Sequence, residues 1–278
     1  MYKDPSIEKL FGFSDSNEYE STEENNSSDE LEVFDHKVSP SSFNGNEPID
    51  ISSITFPSIS GLILYENLLT HEQQNELING IIEANYFDNP ESNQAMCFGT
   101  LPSFLLNAVE IISHTPGLFP DGIQNRKPLF DQACSIINLY KPGEGITSHV
   151  DLPRFEDGIV VISLLSSCVM QFKPLSDISD IEQDGDNTNY YNKFKDIQNT
   201  GETIPVILRP GSVLALSGSS RYNWTHGIEE NEIDEVGDEK IVRNIRVSVT
   251  LRKMKQDQLL LNKDDSNSFS FEVKKRGH

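Results

Sequence analysis

The sequence predicts a mostly β domain, a sandwich or closed barrel, with helices on its N-terminal flank. Three observations carry this. From Cys134 onward, short apolar and β-branched runs recur: CSIINLY, GIVVISLL, CVMQF, TIPVIL, SVLALSG and NIRVSVTL. Turn-forming KPGEG, RPGS and SGSS, together with acidic stretches, separate them, which is the spacing of an all-β domain. Ahead of them lie two segments with apolar residues at helical spacing.

Residues 1–52 are rich in Ser, Asn, Asp and Glu, and NEYESTEENNSSDELE holds few large apolar side chains. Such a segment cannot bury enough apolar surface to offset chain entropy, so it is expected to be a disordered acidic tail. A short docking motif around residues 31–34 is the alternative. One domain is expected over residues 53–255, with a C-terminal tail at 256–278. GLILYENLL (61–69) reads as a strand or extended entry segment. Thr70-His71-Glu72-Gln73 has the form of a capping box, and Ile78, Ile81 and Ile82 give the helix after it an apolar face. A second helix is expected over residues 102–113, where Phe104, Leu105, Ala108, Val109 and Ile112 share a face. Both stripes read as core packing. Six or more strands then follow. Two acidic insertions, near 176–201 and 229–239, interrupt them and are expected to be mobile loops at one end of the barrel. No internal repeat is apparent.

The chain has 278 residues, enough for one large domain or two small ones. Its 44 acidic and 22 basic residues give a formal net charge of −22. Cys97, Cys134 and Cys168 are far apart with no CxxC spacing, so neither a zinc cluster nor a disulfide framework is expected. The N-terminus, MYKDPSIEKLFGF, lacks a basic start followed by an apolar run. No apolar stretch is long enough to cross a bilayer. These features point to a soluble monomer of the cytosol or nucleus with no membrane partner. Nucleic-acid binders usually present a basic face that displaces counterions, and here basic residues gather only near 253–255 and 274–276. An acidic surface favours basic partners such as a Lys/Arg-rich protein tail.

The segment ITSHVD sets His149 and Asp151 two apart, which in a strand turns both to one face. A third ligand from a distant strand would complete two imidazoles and one carboxylate, a set that suits non-haem Fe(II) and leaves positions for a co-substrate and O2. A chain of this size holds roughly 0.3 to 0.5 chance HxD triplets, so the pair alone reads first as a solvated loop. SSRYNWTHGI (219–228) supplies His226 among Tyr222 and Trp224, where a core histidine is the alternative. Asn138 and Tyr140 share a strand face. Buried, they need hydrogen-bond partners, which a carboxylate-bearing ligand would supply; an ordinary strand-end pair is the alternative. In RNIRVSVTLRK, following Arg243, the residues Arg246, Ser248, Thr250 and Arg252 alternate with apolar ones. Two arginines facing a barrel interior would be costly without anionic partners. A dicarboxylate would provide one, gripped at two points by the guanidinium fork. An edge strand with its arginines in water is the alternative.

Taken in order, Asn138-Leu139-Tyr140-Lys141-Pro142-Gly143, His149-Val150-Asp151, residues 158–172, 211–218 and 220–228, and Arg246-Val247-Ser248-Val249-Thr250-Leu251-Arg252 resemble the AlkB-like Fe(II)/2-oxoglutarate dioxygenases. The resemblance runs from about residue 61 to 254. Phe155-Glu156-Asp157, Val169-Met170 and Ser220-Arg221-Tyr222 with Trp224-Thr225-His226 are most similar to the branch that hydroxylates modified wobble uridines in tRNA. The methyltransferase and RNA-recognition modules that accompany that branch in animals do not appear in this sequence.

The resemblance implies a double-stranded β-helix, or jelly roll. It implies iron ligation by His149, Asp151 and His226, with 2-oxoglutarate as co-substrate and O2 as oxidant. Arg246 would hold the distal carboxylate of 2-oxoglutarate with help from Tyr140 and Asn138. Arg252 would line the near end, and Ser248 stands where several relatives carry Asn. The hairpin lid that grips a flipped base in relatives is shortened, because Phe98-Gly99-Thr100-Leu101-Pro102 runs almost directly into the next helix, leaving Met96 and Phe98 as a reduced version. The implied activity is hydroxylation or oxidative demethylation of a modified nucleobase, in RNA above all. A basic protein substrate such as a histone tail is the second reading, motivated by the acidity. A catalytically silent jelly-roll binding module is the third.

Overall fold

Alternation between two facing sheets organises the chain. The structure is a computed structural model and describes residues 53–89, 91–130, 133–175 and 202–256. The acidic segment 1–52, the insertion 176–201 and the tail beyond 256 lie outside the described residues.

Strands β1 (Ser53–Thr55) and β2 (Leu62–Tyr65) lead into helix α1 (His71–Glu83). Strand β3 (Gln94–Gly99), a 3-10 turn (Ser103–Leu105), helix α2 (Leu106–His114) and the one-turn helix α3 (Asp121–Gln124) come next. Six strands follow: β4 (Ala133–Tyr140), β5 (Ile146–His149), β6 (Ile159–Leu164), β7 (Cys168–Pro174), β8 (Ile204–Leu208) and β9 (Val213–Leu216). A helical turn, α4 (Ser219–Tyr222), precedes β10 (Trp224–Ile228). The chain closes with β11 (Ile233–Val236), β12 (Glu239–Val242) and β13 (Arg246–Lys253).

One sheet runs β1-β2-β9-β6-β13-β4-β3 and the other β5-β10-β7-β8. Every pairing is antiparallel. From β4 on, successive strands nest: β4 pairs with β13, β5 with β10, β6 with β9, β7 with β8. This is the strand exchange of a jelly roll, so the expected fold class holds: mostly β, flanked by helices.

The core lies between the sheets. Leu62, Leu64, Ile159, Val161, Leu214 and Leu216 of the larger sheet meet Met170, Phe172, Val206, Leu208 and Ile228 of the smaller. Each fully buried aliphatic or aromatic side chain of this kind contributes about 1.5–3 kcal/mol. The intervening positions Val160, Ile162, Val213, Ala215, Val247, Val249 and Leu251 are buried as well. Strands β6, β9 and β13 are therefore covered on both faces, which explains the near-continuous apolar sequence of β6 and β9.

The capping box forms as the sequence predicts: the Thr70 hydroxyl accepts from Gln73 N, and Gln73 Oε1 accepts from Thr70 N. The buried stripe of α1 is Leu77 and Ile81, one turn apart; Ile78 and Ile82 are only half-buried. The second helical stretch is split, with the 3-10 turn burying Leu105 before α2 buries Ala108 and Ile112. The largest departure is at 229–239. Instead of a loop, this segment enters the β11–β12 hairpin, closed by Gly237-Asp238 with Gly237 at φ 58°. Asp234 and Arg243, both buried, pair through Nη2–Oδ1 at 2.5 Å and Nε–Oδ2 at 2.6 Å. Arg243 Nη1 donates to Glu229 O, and Asp234 Oδ2 also accepts from Val169 N on β7. The ion pair ties the hairpin to the barrel. Among the described residues no helix is long and apolar enough to cross a membrane.

Candidate active site

His149 ends β5 and His226 sits in the middle of β10, where the two are direct cross-strand partners. Their ring centroids are 4.6 Å apart. The register slips by one residue after this pair, since Ile228 faces Ile146. Gly227 lies at the slip: a Cβ there would stand 2.7 Å from Ser148 Cα and 2.9 Å from Ile146 O. Only a glycine lets β5 come this close. Phe172, opposite His226 on β7, stacks on its ring at 5.9 Å.

Asp151 does not share a strand with His149, as the HxD spacing implies. The strand stops at His149 and Asp151 lies in the loop beyond it. It is nevertheless brought to the same place, with Oδ2 3.6 Å from His226 Nε2. Its other oxygen, Oδ1, accepts from Arg252 Nε at 2.7 Å and Nη2 at 2.6 Å. Arg252, expected to line the co-substrate's near end, thus grips the Asp151 carboxylate. Arg221, which the sequence reading left without a role, donates Nη1 to Asp151 O at 2.9 Å and Nη2 to Leu152 O at 2.8 Å.

All three residues are at most 6% exposed, which sets their charge states. Burial holds the His149 imidazole below its ordinary value against the pull of Asp151. Burial, then the neighbouring His149, pushes His226 down to about 3. For Asp151 burial works upward, but Arg252, His226 and Arg221 overcome it and hold the carboxyl well below the usual carboxylate range. The result is two neutral imidazoles beside one carboxylate, the protonation state that metal ligation requires. His149 Nδ1 lies 2.8 Å from Thr147 O. Donation to that carbonyl leaves the Nε2 lone pair available and fixes the ring, the outer-shell arrangement usual for ligating histidines. Among the described residues no group of three or more His, Cys, Asp or Glu side chains stands in an arrangement that could hold a metal ion as placed. His226 is the common neighbour instead, beside the Asp151 carboxylate and against the His149 ring.

The inner face of the larger sheet adds the second half of the site. Gln94, Asn138, Ser248 and Ser163 form one row across β3, β4, β13 and β6, and Tyr140 faces Arg246 in the next. Gln94 Nε2 donates to Asn138 Oδ1 at 2.7 Å, a contact that no local sequence pattern announces. Arg246 is 2% exposed and stands over the Tyr140 ring at 5.2 Å. Its Nη2 donates to Ser163 Oγ at 2.9 Å, while Nε and Nη1 have no partner. A buried guanidinium with two unused donors is costly unless an anion fills the space before it. Burial raises the Tyr140 hydroxyl's pKa, with Arg246 opposing, so it remains a donor. By residue type, two neutral imidazoles with a carboxylate suit a divalent metal, and a half-satisfied arginine on the facing sheet suits a small dicarboxylate.

The chain is 29% identical over 231 residues to the tRNA (carboxymethyluridine(34)-5-O)-methyltransferase ALKBH8 of Macaca fascicularis, covering 70% of this chain and 31% of that protein. It is also 29% identical over 242 residues to the alkylated DNA repair protein ALKBH8 homolog of Arabidopsis thaliana, covering 78% and 65%. The match therefore spans about a third of the animal relative and just under two thirds of the plant one. The solved structure of OsALKBH1 aligns over 69% of this chain and 98% of its own, at 15% identity and a TM-score of 0.43. The family model of the 2OG-Fe(II) oxygenase superfamily matches residues 94–252, from Gln94 on β3 to Arg252 on β13. That span is more than half of the sequence and contains every candidate site residue, and on it the chain belongs to the 2OG-Fe(II) oxygenase superfamily.

Proposed function

We propose that the chain is an Fe(II)- and 2-oxoglutarate-dependent dioxygenase that hydroxylates, or oxidatively demethylates, a modified nucleobase in RNA. The observation that carries this is Arg246, buried with Nε and Nη1 unsatisfied, on the sheet that faces the one carrying the His149–His226 pair. His149, Asp151 and His226 would hold the iron. Arg246 would take the distal carboxylate of 2-oxoglutarate, with Tyr140, Asn138 and Ser248 on the same sheet face as further polar contacts. When bound, iron and 2-oxoglutarate supply an oxidant from O2 as the co-substrate leaves as succinate and CO2.

The protein's part is geometric and electrostatic. Burial keeps both imidazoles neutral, and Arg252 keeps Asp151 ionised, so ligand protonation does not compete at neutral pH. Arg246 orients the co-substrate by its fork, which a point cation cannot do. The apolar core between the sheets keeps bulk water away from the reacting centre. On the substrate one C–H bond becomes C–OH; if that carbon is an N-methyl group, it departs as formaldehyde.

The RNA assignment rests on the relatives whose names specify tRNA. A basic protein substrate is the second reading, favoured by the net charge of −22. Incubation with iron, 2-oxoglutarate and O2, followed by mass analysis of tRNA and of a Lys/Arg-rich peptide, tests both. An oxygen gained or a methyl group lost on the RNA supports the reading; change confined to the peptide moves the assignment to protein.

A further inference from the structure

Arg221 is foremost among the fully buried side chains of the described residues, at 2% exposure, and it is a cation. Taking a guanidinium out of water costs several kcal/mol unless its donors and charge are used. Among the described residues no carboxylate stands at ion-pair distance from it. Its two terminal nitrogens go instead to consecutive main-chain carbonyls, Asp151 O at 2.9 Å and Leu152 O at 2.8 Å, and Nε has no partner. The Tyr222 ring covers the guanidinium at 4.8 Å and is itself 38% exposed. Neutral donors could satisfy two carbonyls at much lower cost. A rigid planar fork that spans two successive carbonyls fixes their relative orientation, and hence the backbone at Asp151.

The surrounding contacts show what this fixes. Arg221 lies in α4, five residues before His226. A second contact joins the same two segments, since Gly218 N donates to Asp157 Oδ1 at 3.0 Å and Oδ2 at 3.1 Å. The loop that carries Asp151 is therefore fastened at both ends to the turn that feeds His226 into β10. Arg252 holds the carboxylate of Asp151 from β13 while Arg221 holds its carbonyl from α4. Clamped at both points, Asp151 keeps Oδ2 turned to His226.

We propose that Arg221 is a positioning residue that sets Asp151 against the two histidines for metal binding. The inference rests on the iron reading above, and its test is kept separate from turnover. The full chain, freed of metal, is titrated anaerobically with Co(II), whose visible absorption reports ligand geometry. The wild-type chain is compared with Arg221→Lys, which keeps the charge but not the fork, and with Arg221→Ala. Loss of an outer-shell partner weakens metal binding by about 10–100-fold. Both variants are expected to fall in that range, with an altered Co(II) spectrum. Millimolar guanidinium, but not sodium, is expected to restore part of the affinity of Arg221→Ala. A merely structural role would lower the melting temperature and leave affinity and spectrum of the folded protein at wild-type values. That result in Arg221→Lys overturns the proposal, and if Arg221→Ala does not fold, Arg221→Lys alone decides. A wild-type chain that takes up no Co(II) would instead remove the metal site itself.

Discussion

His149 and His226 face each other as direct cross-strand partners on β5 and β10, with ring centroids 4.6 Å apart. The pairing depends on a residue with no side chain, because Gly227 is where β5 slips register and closes on β10. Gly227→Ala would put a methyl group 2.7 Å from Ser148 Cα. Backbone cannot yield as the tip of a side chain does, so the strands must part. The expected loss is about 1–3 kcal/mol of stability, typical of overpacking, together with weakened metal uptake. Thermal melts and Co(II) titration check both.

Arg246 offers two unused donors beside Tyr140. Arg246→Lys keeps the charge and loses the fork. Hydrogen bonds to charged groups contribute about 1.5–3 kcal/mol, so the 2-oxoglutarate concentration for half-maximal succinate formation is expected to rise about tenfold to a hundredfold. An unchanged requirement would take Arg246 out of the co-substrate site.

The metal-free protein should lose stability as acid is added, for reasons that can be signed. His226 is pushed down to about 3 and His149 is lowered too, both chiefly by burial. Between pH 6.5 and 3 the unfolded chain therefore binds more protons at His226 than the folded one, with His149 acting in the same direction, and stability rises with pH across that window. The contribution of His226 is complete above the unfolded histidine value and is lost as pH falls through the window, and that of His149 is lost in the same direction. Asp151, held below the carboxylate range, adds a loss of the same sign at lower pH. Denaturant unfolding of the metal-free chain at stepped pH checks this, and His226→Gln should flatten the slope between pH 6.5 and 3.

Arg243 and Asp234 form a buried pair that binds the β11–β12 hairpin to β7. Asp234→Asn leaves a buried guanidinium without its counter-charge, at an expected cost of about 3–5 kcal/mol. The double variant Asp234→Leu/Arg243→Met should lose less than Asp234→Asn alone. Additive losses in denaturant melts would show that the two do not act as a pair.

This hairpin also shows where sequence reading stops. Gly237-Asp238 between two four-residue runs is a hairpin signal, but acidic residues of low strand propensity surround it. What holds the segment is Arg243, a contact that no local pattern contains. The alternation of Arg246, Ser248, Thr250 and Arg252 on β13 was legible because period 2 is local. The destination of each arginine was not. Arg246 faces Tyr140, Arg252 grips Asp151, and the choice depends on which loop lies opposite. The contacts of Gln94 and Arg221 are not legible for the same reason, Arg221 entering only as part of the Ser220-Arg221-Tyr222 motif: each acts through a partner 44 or about 70 residues away. His149, Asp151 and His226 are singled out by residue type and order, although the loop position of Asp151 departs from the strand geometry that the spacing implies.

Succinate formation from 2-oxoglutarate in the presence of Fe(II) and O2 tests the central claim most directly, because it requires metal and co-substrate in one cavity and no knowledge of the substrate. The wild-type chain is expected to produce succinate, and a folded His149→Ala/His226→Ala variant to produce none above a protein-free control. Equal succinate from the two proteins would contradict the account.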